Sequence, residues 1–138
     1  MKYLISTEKS KLDINKIHDY LCNKSYWAKG RSLGKVKKSI DNSMCFGLYD
    51  NSDKMLGFAR VVTDKVVFAY LMDVFILEEH QRKGLGKMLV KHVIEHPELQ
   101  VRFWLLGTVN SHDFYKRLGF IELPDPERYL AIRDETRC

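Results

Sequence analysis

Apolar residues recur at helical spacing in two early segments. Ile14, Ile17 and Leu21 predict a first helix over about residues 13–24, with Asp13 placed to cap its free N–H groups. Leu33, Val36 and Ile40 predict a second helix from about residue 32. Between them, residues 25–31 form a loop rich in large and charged groups: Tyr26, Trp27, Lys29 and Arg31. The period then shortens. Runs at 44–49, 55–63 and about 66–77 read as strands, separated by the turn chemistry of Asp50-Asn51-Ser52-Asp53 and of Asp64-Lys65. The third run is long and apolar, which predicts a central place in a sheet. Helical spacing returns at Leu85, Met88, Leu89 and Val93, and Pro97 ends that helix near His96. A buried strand at 101–106 and a short helix at 111–118 follow, with Gly119 as its left-handed cap. Residues 120–123 and 129–132 read as closing strands. The order is that of one mixed, layered α/β domain spanning 1–138.

Composition narrows the class. Hydrophobic residues are 45% of the chain, enough for a real core. Cys22, Cys45 and Cys138 are scattered, with no CxxC pair, so neither a disulfide framework nor a zinc site is expected. His18, His80, His92 and His96 have no ligand spacing either, so no metal is expected. No run approaches a membrane span, and the first apolar run is too short for a signal peptide. The expectation is a soluble, cytoplasmic protein. The formal net charge of +5 fits a polyanionic partner, either nucleic acid or a phosphorylated small molecule.

The segment Gln81-Arg82-Lys83-Gly84-Leu85-Gly86-Lys87 separates the long apolar strand from the following helix. Glycines there let backbone approach a ligand, and the helix start offers unpaired N–H groups and partial positive charge. Arg82, Lys83 and Lys87 add full charges, which makes a phosphate cradle. A Walker loop would need Gly at 81 and Ser or Thr at 88, where Gln81 and Met88 stand. A dinucleotide fingerprint would need a third glycine at 89, where Leu89 stands. The remaining pattern is Q-x-x-G-x-G.

Residues 73–90, a strand followed by Q-x-x-G-x-G and a helix, resemble motif A of the GNAT acetyltransferases. Phe114-Tyr115-Lys116-Arg117-Leu118-Gly119-Phe120 resembles the family's Y-x-x-x-G-F signature, one strand downstream. The resemblance covers about 44–120. It implies a mixed, mostly antiparallel sheet with a central V-shaped splay, flanked by helices. It also implies acetyl-CoA as co-substrate and an amine acceptor, small molecule or protein, attacked directly.

The resemblance assigns the diphosphate to Arg82, Lys83, Gly84, Leu85, Gly86 and Lys87. The pantetheine arm falls to the strand backbone at Phe75, Ile76 and Leu77, with a main-chain N–H near Phe75 facing the thioester oxygen. Tyr115 matches the family's general acid. Asn110 is either a helix cap or a pantetheine contact. Asp73 lies in an apolar strand, where an unpaired carboxylate is costly. It is either a base or ammonium anchor, or the structural partner of an arginine; Glu78, Glu79 and His112 are further candidates for the base. The loop residues Tyr26, Trp27 and Arg31 are placed to meet the acceptor, with Trp27 alternatively pinning the loop to the core.

Two other functions share these features. One is an acyl-CoA sensor without catalysis, which Tyr115 argues against. The other is a nucleic-acid binder, for which the sequence carries no recognisable motif. A homodimer is compatible with the sequence.

Overall fold

The computed structural model describes residues 2–138. Its strands are β1 (Leu4–Ser6), β2 (Met44–Tyr49), β3 (Met55–Thr63), β4 (Phe68–Ile76) and β5 (Phe103–Leu106). They lie side by side in chain order, antiparallel except for the parallel pair β4–β5. The helices are α1 (Ile14–Asp19), α2 (Leu33–Asp41), α3 (Leu85–Glu95) and α4 (His112–Arg117). Asp13 accepts from Lys16 N at 3.1 Å and Ser32 from Lys35 N at 3.2 Å, which satisfies free donors at the starts of α1 and α2.

The sheet separates two apolar layers. On one face α3 buries Leu85, Leu89, Val90 and Val93 against Phe46, Leu48, Leu56 and Val61. On the other, Ile17 and Leu21 with Val36 and Ile40 of α2 cover Cys45, Phe58, Phe75 and Leu77. Each such side chain stabilises the fold by about 1.5–3 kcal/mol. Helix α1 continues into a wide π turn at Tyr20–Lys24, closed by Ser25 N donating to Tyr20 O at 2.9 Å. That turn sets Tyr20 flat on Phe75, with ring centroids 4.2 Å apart and 9° between planes.

The centre of the sheet is irregular for an identifiable reason. Phe58 pairs with Phe75 and Arg60 with Met72, so Ala59 faces two residues, Asp73 and Val74. This β-bulge puts Asp73 in the left-handed region, φ 53°. Asp tolerates that region better than a β-branched residue. The bulge bends β4, and pairing with β5 stops two residues earlier, at Leu71–Leu106. Beyond it β4 and β5 diverge, which is the V-shaped splay.

Two expectations fail at the ends of the chain. After α4 no strand forms among the described residues, so 120–123 and 129–132 are not closing strands. Alternating apolar residues favour a strand only where a neighbour pairs with it, and here Leu130 and Ile132 stand 99% and 100% exposed. In contrast β1, three residues paired with β2, is too short to carry a periodic signal.

Candidate active site

Helix α3 begins without a side-chain cap. Its N-cap is Gly84, at φ 77°, and no acidic residue lies in its first turn. The N–H groups of the first turn have no partner inside the helix, and they point into the mouth of the splay. A Cβ at Gly84 would meet nothing within 4 Å, so this glycine serves its backbone angle. A Cβ at Gly86 would lie 3.7 Å from Phe114 Cζ and 3.9 Å from Ile76 Cγ1, so this glycine keeps the cleft open. Arg82 takes φ 63° to turn the loop.

The cleft has a volume of about 500 Å³. Val74, Phe75 and Ile76 form one wall, the 81–87 loop and the start of α3 its upper end, and Phe114 and Tyr115 of α4 the opposite wall. Tyr20 and Trp27 close its remaining side. Uncapped amides, two exposed basic side chains and a narrow apolar channel fit a diphosphate carrying a slender arm.

Of the predicted residues, the cleft brings together Trp27, Phe75, Ile76, Arg82, Gly84, Leu85, Gly86, Lys87 and Tyr115. Leu77, Lys83, Asn110, Tyr26, Arg31 and Asp73 lie outside its lining. Leu77 packs under α1 and α2, and its N–H is spent on Leu56 O at 2.9 Å. Asn110 does not cap α4: Ser111 is the N-cap, and Asn110 Oδ1 only accepts from Ser111 Oγ at 3.2 Å.

The strand's alternation corrects the expected amide donor. Leu77 N–H points to β3, and Phe75 O lies 3.0 Å from where a Cβ of Gly57 on β3 would sit. Neighbouring residues of a strand turn their amides to opposite sides. The main chain facing the splay is therefore that of Ile76, not Phe75. Gln81 confirms the direction, since its Nε2 donates to Ile76 O at 2.8 Å from the open side.

Tyr115 is held by edge contacts with Phe114 and Phe120, at 5.0 and 5.8 Å between centroids. Burial, with the Tyr26 phenol nearby, pushes its pKa up to about 12. Burial also raises the pKa of Tyr20, helped by the Glu78 carboxylate and opposed by a hydrogen bond from Gln81.

Beside the cleft lies a buried charge cluster. The Asp73 carboxylate accepts from Arg60 Nε at 2.8 Å, Arg31 Nη1 at 3.0 Å and Trp27 Nε1 at 2.9 Å. Its side chain is 0% exposed. Arg60 also donates to Ser43 Oγ at 3.0 Å. The cluster pins the 25–31 loop to the bulge, and Tyr26 Oη accepts from Val109 N at 3.0 Å, which ties the same loop to the segment after β5.

Sequence reading passed over Tyr20, Phe114 and the Gln81 side chain. Tyr20 sat unremarked in a helical pattern, and only the stack on Phe75 reveals it. His80, which has no ligand spacing in the sequence, has its Nε2 buried without a partner at the cleft. Among the described residues no group of three or more His, Cys, Asp or Glu side chains is arranged to hold a metal ion. Nor is any helix there long and apolar enough to cross a membrane.

This fold and cleft are similar to those of the acetyltransferases. The model of the Acetyltransferase (GNAT) family matches residues 14–120, and the chain belongs to that family. It is 37% identical over 121 residues to the uncharacterized N-acetyltransferase ycf52 of Gracilaria tenuistipitata var. liui, a match covering 79% of this chain and 64% of the relative. The chain thus spans just under two thirds of that relative's length. Among solved structures, a protein of the GNAT family from Xanthomonas campestris pv. campestris superposes with a TM-score of 0.93 at 38% identity, covering 97% of this chain and 94% of its own. The fold also matches N-acetylglutamate synthase from Neisseria gonorrhoeae, solved with coenzyme A and N-acetyl-glutamate, at a TM-score of 0.72 and 18% identity, over 93% of this chain and 31% of that one.

Proposed function

We propose that the chain moves the acetyl group of acetyl-CoA to a primary amine by direct attack. The observation that carries this reading is the convergence, in one cleft, of the uncapped start of α3, the unpaired side of β4 and the Tyr115 hydroxyl. Bound there, acetyl-CoA would supply the activated acyl carbon. The first-turn amides of α3 hold the diphosphate, with Arg82 and Lys87 adding charge. The main chain of Ile76 takes the arm, and a splay-facing N–H of β4 polarises the thioester carbonyl.

Tyr115 holds a proton for the departing thiolate. A phenol at about pKa 12 would give that proton poorly to a solvated thiolate near 8.5. The same dry wall that raises the phenol also raises a thiolate emerging beside it, which narrows the gap. Asp73 acts as a positioning residue, because its lone pairs are already taken by Arg31, Arg60 and Trp27. The amine then arrives neutral from solvent, the proton its nitrogen sheds after attack passes to water rather than to Asp73, and water returns a proton to Tyr115. Tyr26 and Trp27 flank the acceptor's approach.

The direct test is thiol release from acetyl-CoA against a panel of amines, with calorimetry of coenzyme A binding beside it. Binding with turnover on at least one amine supports the reading. Binding without turnover on any amine leaves a sensor, and no binding removes the assignment.

A further inference from the structure

We infer that the amine acceptor carries a carboxylate a few bonds from its nitrogen, and that the free edge of the Arg31 guanidinium receives it. This rests on the acyl-transfer reading and adds the chemical class of its acceptor. One carboxylate, Asp73, faces two guanidiniums, Arg31 at 3.0 Å and Arg60 at 2.8 Å. Among the described residues neither guanidinium has a second carboxylate within ion-pair distance. The cluster therefore holds one surplus positive charge. Its side chains are nonetheless drawn largely out of water, Asp73 at 0% exposed, Arg60 at 8% and Arg31 at 15%.

The surplus falls on Arg31. Arg60 spends its guanidinium inside the fold: Nε on Asp73, Nη1 on Ser43 Oγ at 3.0 Å and Nη2 against Met72 Sδ at 3.4 Å. Arg31 spends one nitrogen alone, Nη1, which reaches the two Asp73 oxygens at 3.3 and 3.0 Å. Its Nε and Nη2 have no partner among the described residues. Neither is among the buried atoms left unpaired, so both reach solvent. Nε and Nη2 carry the parallel donors of the guanidinium's side edge, which grips a carboxylate with two hydrogen bonds.

Holding the bulge does not call for that second arginine. Arg60 already gives Asp73 a counter-charge, and Trp27 Nε1 satisfies Oδ1 at 2.9 Å. A further guanidinium drawn from water without a charge of its own to meet is costly. Such a cost is kept where a ligand completes the site. One surplus charge matches a carboxylate rather than a phosphate, which carries up to two negative charges. The position fits as well. Asp73 directly precedes Val74, which lines the cleft, and Trp27, bonded to the same carboxylate, lines it too. An acceptor whose amine lies between Trp27 and Val74 reaches Arg31 with a group a few bonds further on.

Calorimetry of N-acetyl amino acids, the products such acceptors would give, tests this with coenzyme A present. Each acid is compared with its own carboxamide, which keeps the shape and removes the charge. For at least one pair the acid is expected to bind at least about tenfold more tightly. Arg31→Gln is expected to bring that ratio to within about twofold of unity. Carboxamide binding, coenzyme A binding and circular dichroism should be kept in that variant, because Arg60 and Trp27 still hold Asp73. Arg31→Lys keeps the charge without the fork and should fall between the two. Acids that bind no better than their carboxamides overturn the inference. So does a preference that Arg31→Gln leaves intact. So does a variant that weakens both ligands alike, since Arg31 would then serve only to hold the loop. These readouts need no turnover. Thiol release with no preference for acids would keep the acyl transfer and remove this acceptor class.

Discussion

Asp73 and Arg60 are joined at 2.8 Å, carboxylate to Nε, across the bulge that opens the sheet. Arg60 is on β3 opposite Met72, and Asp73 is the extra residue that bends β4. The ion pair thus fastens the point where β4 leaves β5. Arg31 and Trp27 join the same carboxylate from the loop at the cleft's edge, so the splay and the loop share one anchor.

Asp73→Asn separates anchoring from base catalysis. Asn tolerates the left-handed backbone that Asp73 occupies at φ 53°, so the bulge itself is spared. The two guanidiniums are left without a counter-charge, which costs about 3–5 kcal/mol. Denaturant unfolding should show that loss, while kcat on folded protein falls less than about tenfold. A stable variant with kcat reduced by about 10²-fold or more would restore Asp73 as a base.

Gly86→Val should act on co-substrate affinity. Even a Cβ there sits 3.7 Å from Phe114, and two further methyls fill the channel. The expected result is a KM for acetyl-CoA raised at least about tenfold. Gly84→Ala should behave differently: nothing blocks the methyl, but φ 77° costs an L residue about 1–2 kcal/mol. Steady-state kinetics beside thermal melting separates the two glycines.

Much of this was legible in the residues themselves. Gln81, Gly84 and Gly86 marked the loop that lines the cleft at the start of α3, because glycine and basic side chains at a helix start have a local, chemical meaning. Ile14, Ile17 and Leu21 marked a helix by spacing alone. What failed depended on neighbours distant in the chain. The 129–132 pattern is strand-like, yet pairing is a property of two segments, and no strand pairs with it among the described residues. The side of β4 on which the Phe75 amide lies could not be read either, because one bulge residue at Asp73 resets the alternation. Asp73's burial cost pointed correctly to a partner, though not to two arginines and an indole.

Tyr115→Phe removes one oxygen and leaves the packing on Phe114 and Phe120 intact. Its kcat is expected to fall by about 10²-fold or more, with coenzyme A binding unchanged. The wild-type pH profile carries a second signature. Tyr115 stays protonated up to about pH 12, so it imposes no alkaline limb below pH 10. With the Asp73 carboxylate held by Arg31, Arg60 and Trp27, the acid limb of kcat/KM is expected to belong to the acceptor. Two amines whose own pKa values differ should shift that limb by the same difference. A limb that stays fixed for both would show that an enzyme group, not the amine, sets it.

Alkaline stability should fall in two stages. Burial lifts the Cys45 thiol from 9.0 to about 11, and lifts Tyr49 and Tyr115 from 10.0 to about 12. In each case the neutral form is the one the fold accommodates, so the unfolded chain ionises first. The stabilisation is complete below the unfolded pKa and is lost as pH rises through the folded one. Urea midpoints should therefore hold level to about pH 8.5, decline between 9 and 11 as Cys45 contributes, and decline further toward 12 as the tyrosines join. Cys45→Ala should delete the first stage while costing some stability at neutral pH, since it leaves a small void beside Ile40. An unchanged onset near pH 9 in that variant would mean that another group carries the first stage.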